Sequence, residues 1–164
     1  MPLAALFLCT VVAVADGDTL TVRCDAVADQ PAQTLRVRLA EIDAPEAHQP
    51  FGKRSRRYLA ALCLRQRAQV RPVADNGGLD RYGRTVAHVT CGGTDANAAL
   101  VRAGMAWVFD RDGLLHSLQD SARASQRGLW ADKHPVPPWE WRGDRETDDA
   151  PSCFTARGRF GSQD

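Results

Sequence analysis

Residues 15–22 read Ala-Asp-Gly-Asp-Thr-Leu-Thr-Val, and this stretch predicts the first turn of the fold. Residues 11–15 before the turn are apolar and rich in β-branched side chains, and residues 20–23 after it also have strand character. An Asp-Gly pair between two such segments is typical of a β-hairpin. The chain is therefore expected to open with two antiparallel strands joined by Asp16-Gly17-Asp18.

The remaining pattern predicts a small barrel with helices on one side. Residues 34–39 alternate between apolar and polar side chains, as a half-buried strand does. Further strands are predicted at residues 69–73 and 85–90, and helices at residues 51–67, 96–103 and 114–127, the last two closed by Gly104 and Gly128. About five strands and about three helices indicate an α+β, mainly β fold, for which the five-stranded OB-fold β-barrel is the closest known plan.

The overall composition indicates one globular domain, and the distribution of charge is more informative than its total. A chain of 164 residues with 44% hydrophobic and 25% charged residues is ordinary for a single folded domain. Its net charge is only +1, yet residues 51–73 contain seven basic residues and no acidic one. The segment is either a binding face for a polyanion or an ordinary solvated helix surface.

The five cysteines indicate an oxidising compartment. None of them lies in a Cys-x-x-Cys pair, and the four histidines form no zinc-like spacing with them. A bond between Cys9 and Cys24 is favoured because both flank the opening hairpin, and Cys63 with Cys91 is the second expected pair. The sequence does not fix the pairing, and one cysteine must be left over.

The two ends of the chain are expected to lie outside the folded domain. Residues 3–15 are apolar except for Thr10, too short to span a bilayer, and end in an Ala-x-Ala site like that of a secretory signal. No basic segment precedes them, and cleavage after Ala15 would remove the first strand. We therefore expect residues 1–8 to be a signal-sequence remnant, residues 9–142 the domain and residues 143–164 a disordered tail, after an extended proline and tryptophan segment at 135–141. Export to the periplasm or medium is expected.

Three separated segments carry charges that the fold does not need. They are Asp-Gly-Asp at 16–18, Arg-Leu-Ala-Glu-Ile-Asp-Ala-Pro-Glu at 38–46 and Asp-Arg-Tyr-Gly-Arg at 80–84. Each has a structural explanation as a turn, although Asp18 stands where a strand begins and Asp is disfavoured. An EF-hand is excluded, because its sixth and twelfth positions would be Thr21 and Val27. Taken alone, the first segment is either a turn or half of a metal site.

Together these segments resemble the staphylococcal nuclease family, the thermonucleases. The family pattern is Asp-Gly-Asp-Thr, then Arg-Leu-x-x-x-Asp-x-Pro-Glu, then Asp-x-Tyr-Gly-Arg, and the order and internal spacings match here. The similarity continues through residues 97–106 and 128–130 and covers roughly residues 10–131. Pro-Pro-Trp-Glu-Trp-Arg at 137–142 looks like an extension of exported bacterial members.

The resemblance implies a role for each matching position. Asp18 and Asp43 would be carboxylate ligands of one Ca²⁺, with the backbone carbonyl of Ala44 as a third ligand and Asp16 nearby. Ala44 replaces the usual threonine, which leaves the carbonyl in place. Substrate would be handled by the remaining residues: Glu46 orienting or deprotonating water, Arg38 and Arg84 clamping the phosphate, and Tyr82 and Arg81 lining the nucleotide pocket.

The implied activity is Ca²⁺-dependent, sugar-nonspecific endonucleolytic hydrolysis of DNA and RNA. The resemblance implies single-stranded substrates, 3′-phosphate products and a monomer. Fixed cations suit this chemistry because the transition state gathers negative charge on the phosphoryl oxygens. Tyr82, Trp107 and Phe109 could stack on bases, although Trp107 could equally be a core residue. The alternative is a catalytically weak OB-fold nucleic-acid-binding module; a general single-strand binder would not need Glu46 or the Asp pair.

Overall fold

The computed structural model describes residues 6–26, 31–73, 78–110 and 113–148. The strands are β1 (Phe7–Val14), β2 (Thr19–Cys24), β3 (Gln33–Leu39), β4 (Ile42–Asp43), β5 (Arg67–Pro72), β6 (Thr85–Cys91), β7 (Thr94–Asp95) and β8 (Trp107–Val108). The helices are α1 (Gly52–Cys63), α2 (Ala96–Arg102), α3 (Leu115–Ala124) and α4 (Pro138–Asp148), with a 3₁₀ turn at Gly128–Ala131.

Five of the strands close into a barrel, which confirms the predicted OB-type plan. Their order is β3-β2-β1-β5-β6, and parallel pairing of Val37 with Thr85 joins β3 to β6 and closes the sheet. The other barrel pairs are antiparallel. The predicted hairpin is present, because β1 pairs directly with β2 across the Asp16-Gly17-Asp18 turn.

The barrel interior is filled by the apolar faces of its strands. Val37 and Leu39 of β3 are fully buried, whereas the intervening Arg38 is only half-buried, as the predicted alternation requires. Leu59 of α1 and Leu100 of α2 are also fully buried against this core. Burial of each such leucine contributes about 1.5–3 kcal/mol, so both helices are held mainly by their apolar faces.

Both expected disulfides are present. Cys9–Cys24 links β1 to β2, and Cys63–Cys91 links the end of α1 to β6. Cys153 lies outside the described residues. Two disulfides are typical of a protein outside the reducing cytoplasm. Among the described helices, none combines the length and apolar character needed to cross a bilayer.

Two helix ends differ from the prediction. The first helix ends at Cys63 rather than residue 67, because Arg65 adopts a left-handed conformation with φ 65° and β5 begins at Arg67. The helix predicted to end at Gly128 ends at Ala124, and Gln126 takes the left-handed position with φ 51°. Gly104 does close α2, with φ 66°.

The C-terminal segment differs most from expectation. The chain is extended only up to Pro137, and α4 then runs from Pro138 to Asp148, where an extended segment and then disorder were predicted. Proline is well suited to the first turn of a helix, since its missing N–H group would have no helical partner there. The domain boundaries remain a prediction, although β1 begins at Phe7 and α4 crosses residue 142. Residues 149–164 lie outside the described part.

Candidate active site

The first turn is pressed closely against α1 and against residue 44. A Cβ atom at Gly17 would overlap the Ser55 hydroxyl and would lie 2.7 Å from the Ala44 Cβ atom. Only glycine therefore allows the hairpin to approach this closely. The turn is closed by the N–H groups of Ala15 and Asp16, which both donate to the Thr19 carbonyl. This approach places Asp18 beside the segment that carries Asp43.

Asp43 is positioned by a short two-stranded sheet and by a buried asparagine. Strand β4 pairs with β8, so that Asp43 lies opposite Trp107. The Asn97 side chain donates to the Ala40 carbonyl at 2.8 Å and accepts from the Val89 N–H at 3.1 Å. The segment between β3 and β4 is thereby fixed to the barrel, which limits where the Asp43 carboxylate can lie.

Arg38 joins the two expected metal ligands. Its Nη1 atom is 2.8 Å from Asp18 Oδ2, and its Nη2 atom is 2.9 Å from Asp43 Oδ1. The Ala44 N–H also donates to Asp18 Oδ2 at 2.7 Å. The two acids are separated in sequence by strands β2 and β3, yet they share one guanidinium in the fold.

The carboxyl group of Asp18 is buried where its ionised form is poorly stabilised. Burial raises the pKa of Asp18 to about 7, the Arg38 guanidinium opposes this effect, and repulsion from Asp16 adds to it. The residue is only 6% exposed. A buried carboxylate in this state would be stabilised by an additional positive charge, as a bound cation supplies.

Arg84 is aimed by Asp80, a residue to which the sequence assigned no role. Asp80 Oδ2 accepts from Arg84 Nε at 2.7 Å, while Oδ1 accepts from the backbone N–H groups of Tyr82 and Arg84, each at 2.9 Å. Burial raises the pKa of Asp80, but these hydrogen bonds from Arg84 and Tyr82 outweigh it and hold the pKa below its usual range. Arg84 Nη1 donates to the Thr19 hydroxyl at 3.2 Å, which leaves the guanidinium facing the first turn.

Tyr82 and Arg81 form an open edge of the same site. Tyr82 is 65% exposed, and Arg81 donates to its hydroxyl at 2.6 Å. The guanidiniums of Arg81 and Arg84 lie 4.7 and 5.4 Å from the Tyr82 ring centroid. The phenol ring thus lies close to two cations, and its exposure leaves it accessible to a planar ligand.

Glu46 lies on a turn that is tied to the C-terminal segment. Its backbone N–H donates to Gln49 Oε1 at 3.0 Å, and Gln49 Nε2 donates to the Val136 carbonyl at 2.6 Å. Gln49 is buried, so this bridge is protected from water. The position of the Glu46 turn therefore depends on the chain that leads into α4.

Arg142 is a site residue that the sequence analysis missed. It comes from α4, and its Nη1 atom lies 2.6 Å from Glu46 Oε1 while its Nη2 atom lies 2.7 Å from Asp43 Oδ2. The two carboxylates raise the pKa of the guanidinium further. The only signal in the sequence was a basic residue at the end of Pro-Pro-Trp-Glu-Trp-Arg, a segment assigned to an extension outside the motifs.

One cavity of about 260 Å³ collects these groups. All nine residues proposed from the sequence line it, together with Pro45 and Arg142: Asp16, Asp18, Arg38, Asp43, Ala44, Glu46, Arg81, Tyr82 and Arg84. Four carboxylates thus face four guanidiniums. Within the described ranges, no group of three or more His, Cys, Asp or Glu side chains converges as a closed metal site. A cation here would need further oxygen ligands from backbone, water or substrate.

The aromatic residues proposed as base-stacking groups divide into different roles. Trp107 is buried, with its ring centroid 4.4 Å from that of Trp130, and is a core residue. Phe109 is exposed but packs on Trp139 of α4, with ring centroids 5.6 Å apart. Of the three proposed aromatic residues, Tyr82 is the one that lines the cavity.

The basic helix contributes to a second, wider groove. Lys53, Arg54 and Arg57 of α1 line an open groove of about 790 Å³ together with Phe51 and Trp141. Among the residues that the structure describes, no acidic side chain lines this groove. Ala47 also lines it, directly after Glu46 in the chain, so the groove opens beside the cavity. Two other basic residues of the same segment contact other parts of the protein: Arg67 pairs with Asp25, and Arg56 donates to the Val14 carbonyl.

Comparison with known proteins identifies the family to which the chain belongs. The sequence model of the staphylococcal nuclease homologue family matches residues 36–132. The chain is 40% identical to a micrococcal nuclease of Shigella flexneri, covering 87% of this chain and 84% of the relative. It is 40% identical to an uncharacterised endonuclease of Escherichia coli O157:H7, over 80% of this chain and 82% of the relative. It is 38% identical to an uncharacterised endonuclease of Haemophilus influenzae, over 82% of this chain and 72% of the relative. The chain therefore belongs to the staphylococcal nuclease homologue family, whose members hydrolyse phosphodiester bonds.

Proposed function

We propose that this nuclease is a Ca²⁺-dependent, sugar-nonspecific endonuclease that cleaves DNA and RNA, prefers single strands and leaves 3′-phosphates. The observation that carries the proposal is the meeting of Asp18 and Asp43 around Arg38, with Glu46 and Arg84 lining the same cavity. A binding module would need the basic residues but not the two acids and the glutamate beside them.

The donors in the cavity fit a hard divalent cation. Asp18 and Asp43 would hold it, together with the Ala44 carbonyl, and Asp16 would add negative charge nearby. Carboxylate and carbonyl oxygens with several water positions suit Ca²⁺, which tolerates irregular geometry. The raised pKa of buried Asp18 supports this assignment, because a bound cation would favour the ionised carboxylate that burial disfavours. When bound, the cation would act as a Lewis acid on the phosphoryl group.

The protein's own residues would divide the remaining work. Glu46 would accept a proton from the attacking water, whose oxygen forms the new bond to phosphorus. The bond to the 5′ oxygen breaks and this oxygen takes up a proton from solvent water, while Glu46 releases its proton to solvent, so that the phosphate stays on the 3′ side. Arg38 and Arg84 would stabilise the charge that gathers on the equatorial oxygens, since a guanidinium binds phosphate bidentately and stays charged.

The surface beside the cavity supports a flexible polyanion as substrate. The groove of Lys53, Arg54 and Arg57 presents three positive charges and includes two aromatic side chains. Tyr82 is exposed at the edge of the cavity and could stack on a base. Stacking and phosphate contacts read neither the sugar nor the sequence, which supports activity on both DNA and RNA.

Export and a monomeric state complete the proposal. The two disulfides support a place in the periplasm or outside the cell, where such bonds persist.

The deciding experiment compares cleavage of single-stranded DNA and RNA with Ca²⁺ and with chelator, followed by analysis of the product ends. We expect cleavage of both polymers with Ca²⁺, none with chelator, and 3′-phosphate ends. Undiminished cleavage in chelator would contradict the Ca²⁺ requirement. Tight binding of the same oligonucleotides without cleavage at any metal concentration would favour the alternative, a catalytically weak OB-fold binding module.

A further inference from the structure

The C-terminal helix supplies a charge to a site that is otherwise built by the barrel. The family match ends at residue 132, and Arg142 of α4 lies beyond it. Its guanidinium nevertheless forms ion pairs with Asp43 at 2.7 Å and with Glu46 at 2.6 Å. Asp43 is the proposed metal ligand and Glu46 the proposed acceptor of the water proton. Arg142 therefore contacts two residues that are proposed to take part in the reaction.

Both oxygens of the Asp43 carboxylate are already occupied by guanidiniums. Arg38 holds Oδ1 at 2.9 Å, and Arg142 holds Oδ2 at 2.7 Å. A divalent cation that takes Asp43 as a ligand needs one of these oxygens, and it would repel any guanidinium left beside it. A carboxylate oxygen can bind a cation and accept a hydrogen bond at once, but this repulsion favours withdrawal of one of the two arginines when a cation binds.

Arg142 is the arginine that can withdraw. Its side chain is 47% exposed, whereas that of Arg38 is 16% exposed. Arg38 is also held by Asp18 and by the Leu39 carbonyl, so its release would break contacts inside the site. The guanidinium of Arg142 contacts only the two acids among the described residues, and water can replace those contacts.

We propose that Arg142 is a resident counter-ion that competes with the divalent cation for Asp43 and so sets the metal affinity of the site. The inference rests on the proposed Ca²⁺ dependence and extends it. Without a cation, the guanidinium neutralises Asp43 and Glu46 and fixes their positions. Binding of the cation and release of Arg142 are then coupled, and the coupling is reciprocal, because each weakens the other by the same factor.

The first test is calorimetric titration of Ca²⁺ into the nucleic-acid-free protein. We expect Arg142→Ala to bind Ca²⁺ about 5–150-fold more tightly than the wild type, the usual range for coupling between sites. Arg142→Lys keeps the positive charge, so its affinity for Ca²⁺ should lie between those of Arg142→Ala and the wild type. Arg67→Ala is the matched control, because it removes another exposed arginine–aspartate pair and should leave the affinity unchanged.

A second measurement separates competition from a structural role. In chelator, Arg142→Ala should lower the melting temperature, because Asp43 and Glu46 lose their partner. With saturating Ca²⁺, the melting temperature of the variant should rise by more than that of the wild type, since no guanidinium has to be displaced. A purely structural arginine would lower both melting temperatures equally.

The outcomes distinguish this inference from the proposed function. Equal or weaker Ca²⁺ binding by Arg142→Ala, in a variant with the wild-type circular dichroism spectrum, would overturn the competition while leaving the Ca²⁺ dependence intact. Absence of Ca²⁺ binding by both proteins, with cleavage in chelator, would refute the Ca²⁺ dependence and this inference with it.

Discussion

Arg38 lies between Asp18 and Asp43, 2.8 Å from the first carboxylate and 2.9 Å from the second. The same side chain is proposed to clamp the substrate phosphate. Its guanidinium is therefore oriented before any substrate arrives, by the two acids that would hold the cation. Preorganised charge of this kind needs little rearrangement during the reaction, which is why it is effective in catalysis.

Replacement of Glu46 should separate proton transfer from folding. Glu46→Gln removes the proposed proton acceptor but keeps the shape of the side chain, so kcat should fall by about 10²–10⁴-fold. The melting temperature in Ca²⁺ should change little, because Glu46 is only half-buried. Steady-state cleavage of a fluorescent oligonucleotide measures the effect. A variant with wild-type kcat would show that another group accepts the proton.

Replacement of Arg84 should lower kcat/KM more than replacement of Asp80, the residue that orients it. Arg84→Ala removes one proposed phosphate clamp and should lower kcat/KM by about 10²–10³-fold. Asp80→Asn keeps the guanidinium but weakens the hydrogen bond to Nε, which aims it, so its loss should be smaller. Measurement of kcat/KM for both variants checks the order. A larger loss in Asp80→Asn would mean that Asp80 has a role beyond orienting Arg84.

The pH dependence of stability in chelator should reveal the raised pKa of Asp18. Its pKa is about 7 in the folded protein, against 3.8 as its ordinary value. Between these values the folded state holds a proton that the unfolded state has lost, so the contribution of Asp18 to stability falls as pH rises from about 4 to about 7. Above pH 7 this contribution stays constant.

Asp18→Asn is the matched variant, because asparagine remains neutral at every pH. The unfolding free energy of the variant relative to wild type should increase with pH over that interval, by an amount on the order of 2–4 kcal/mol. Urea denaturation at pH 4, 5.5, 7 and 8 with chelator measures it. Parallel curves for the two proteins would show that Asp18 ionises normally.

The basic groove should contribute to binding rather than to chemistry. Arg54→Ala with Arg57→Ala should weaken binding of single-stranded DNA in chelator and reduce the slope of log K against log salt by about 0.7 for each phosphate that the protein no longer neutralises. Arg23→Ala with Arg36→Ala removes two exposed charges from β2 and β3 and is the control. An equal reduction in both double variants would indicate general attraction rather than a defined groove.

The sequence was sufficient for the features that are local or that repeat a family pattern. The Asp-Gly turn, the alternation along β3 and the three charged segments each depend on neighbouring residues, and the structure brings all nine proposed site residues to one cavity. The disulfide pairs were also predicted correctly. Roles within the cavity remain proposals, because proximity alone does not assign them.

The missed features depend on contacts between distant segments. Arg142 meets Glu46 across 96 positions of sequence, and no local pattern reports such a pair. Helix α4 was not predicted because its prolines and tryptophans are typical of an extended segment, whereas packing of Trp139 on Trp107 and Phe109 helps to hold it. A local feature was also missed: the chain turns into the left-handed conformation at Gln126, directly after α3, and not first at Gly128 as predicted.

Closure of the barrel through Val37 and Thr85 also completes the cavity, because it fixes the position of Arg84. Arg84 immediately precedes Thr85, so its guanidinium reaches the first turn only when β6 has joined β3. The nascent chain must bring together strands that are far apart in sequence, and such pairing forms slowly compared with local hairpins. Until then Arg84 is not placed beside the first turn, and the cavity that the nine proposed residues line is incomplete.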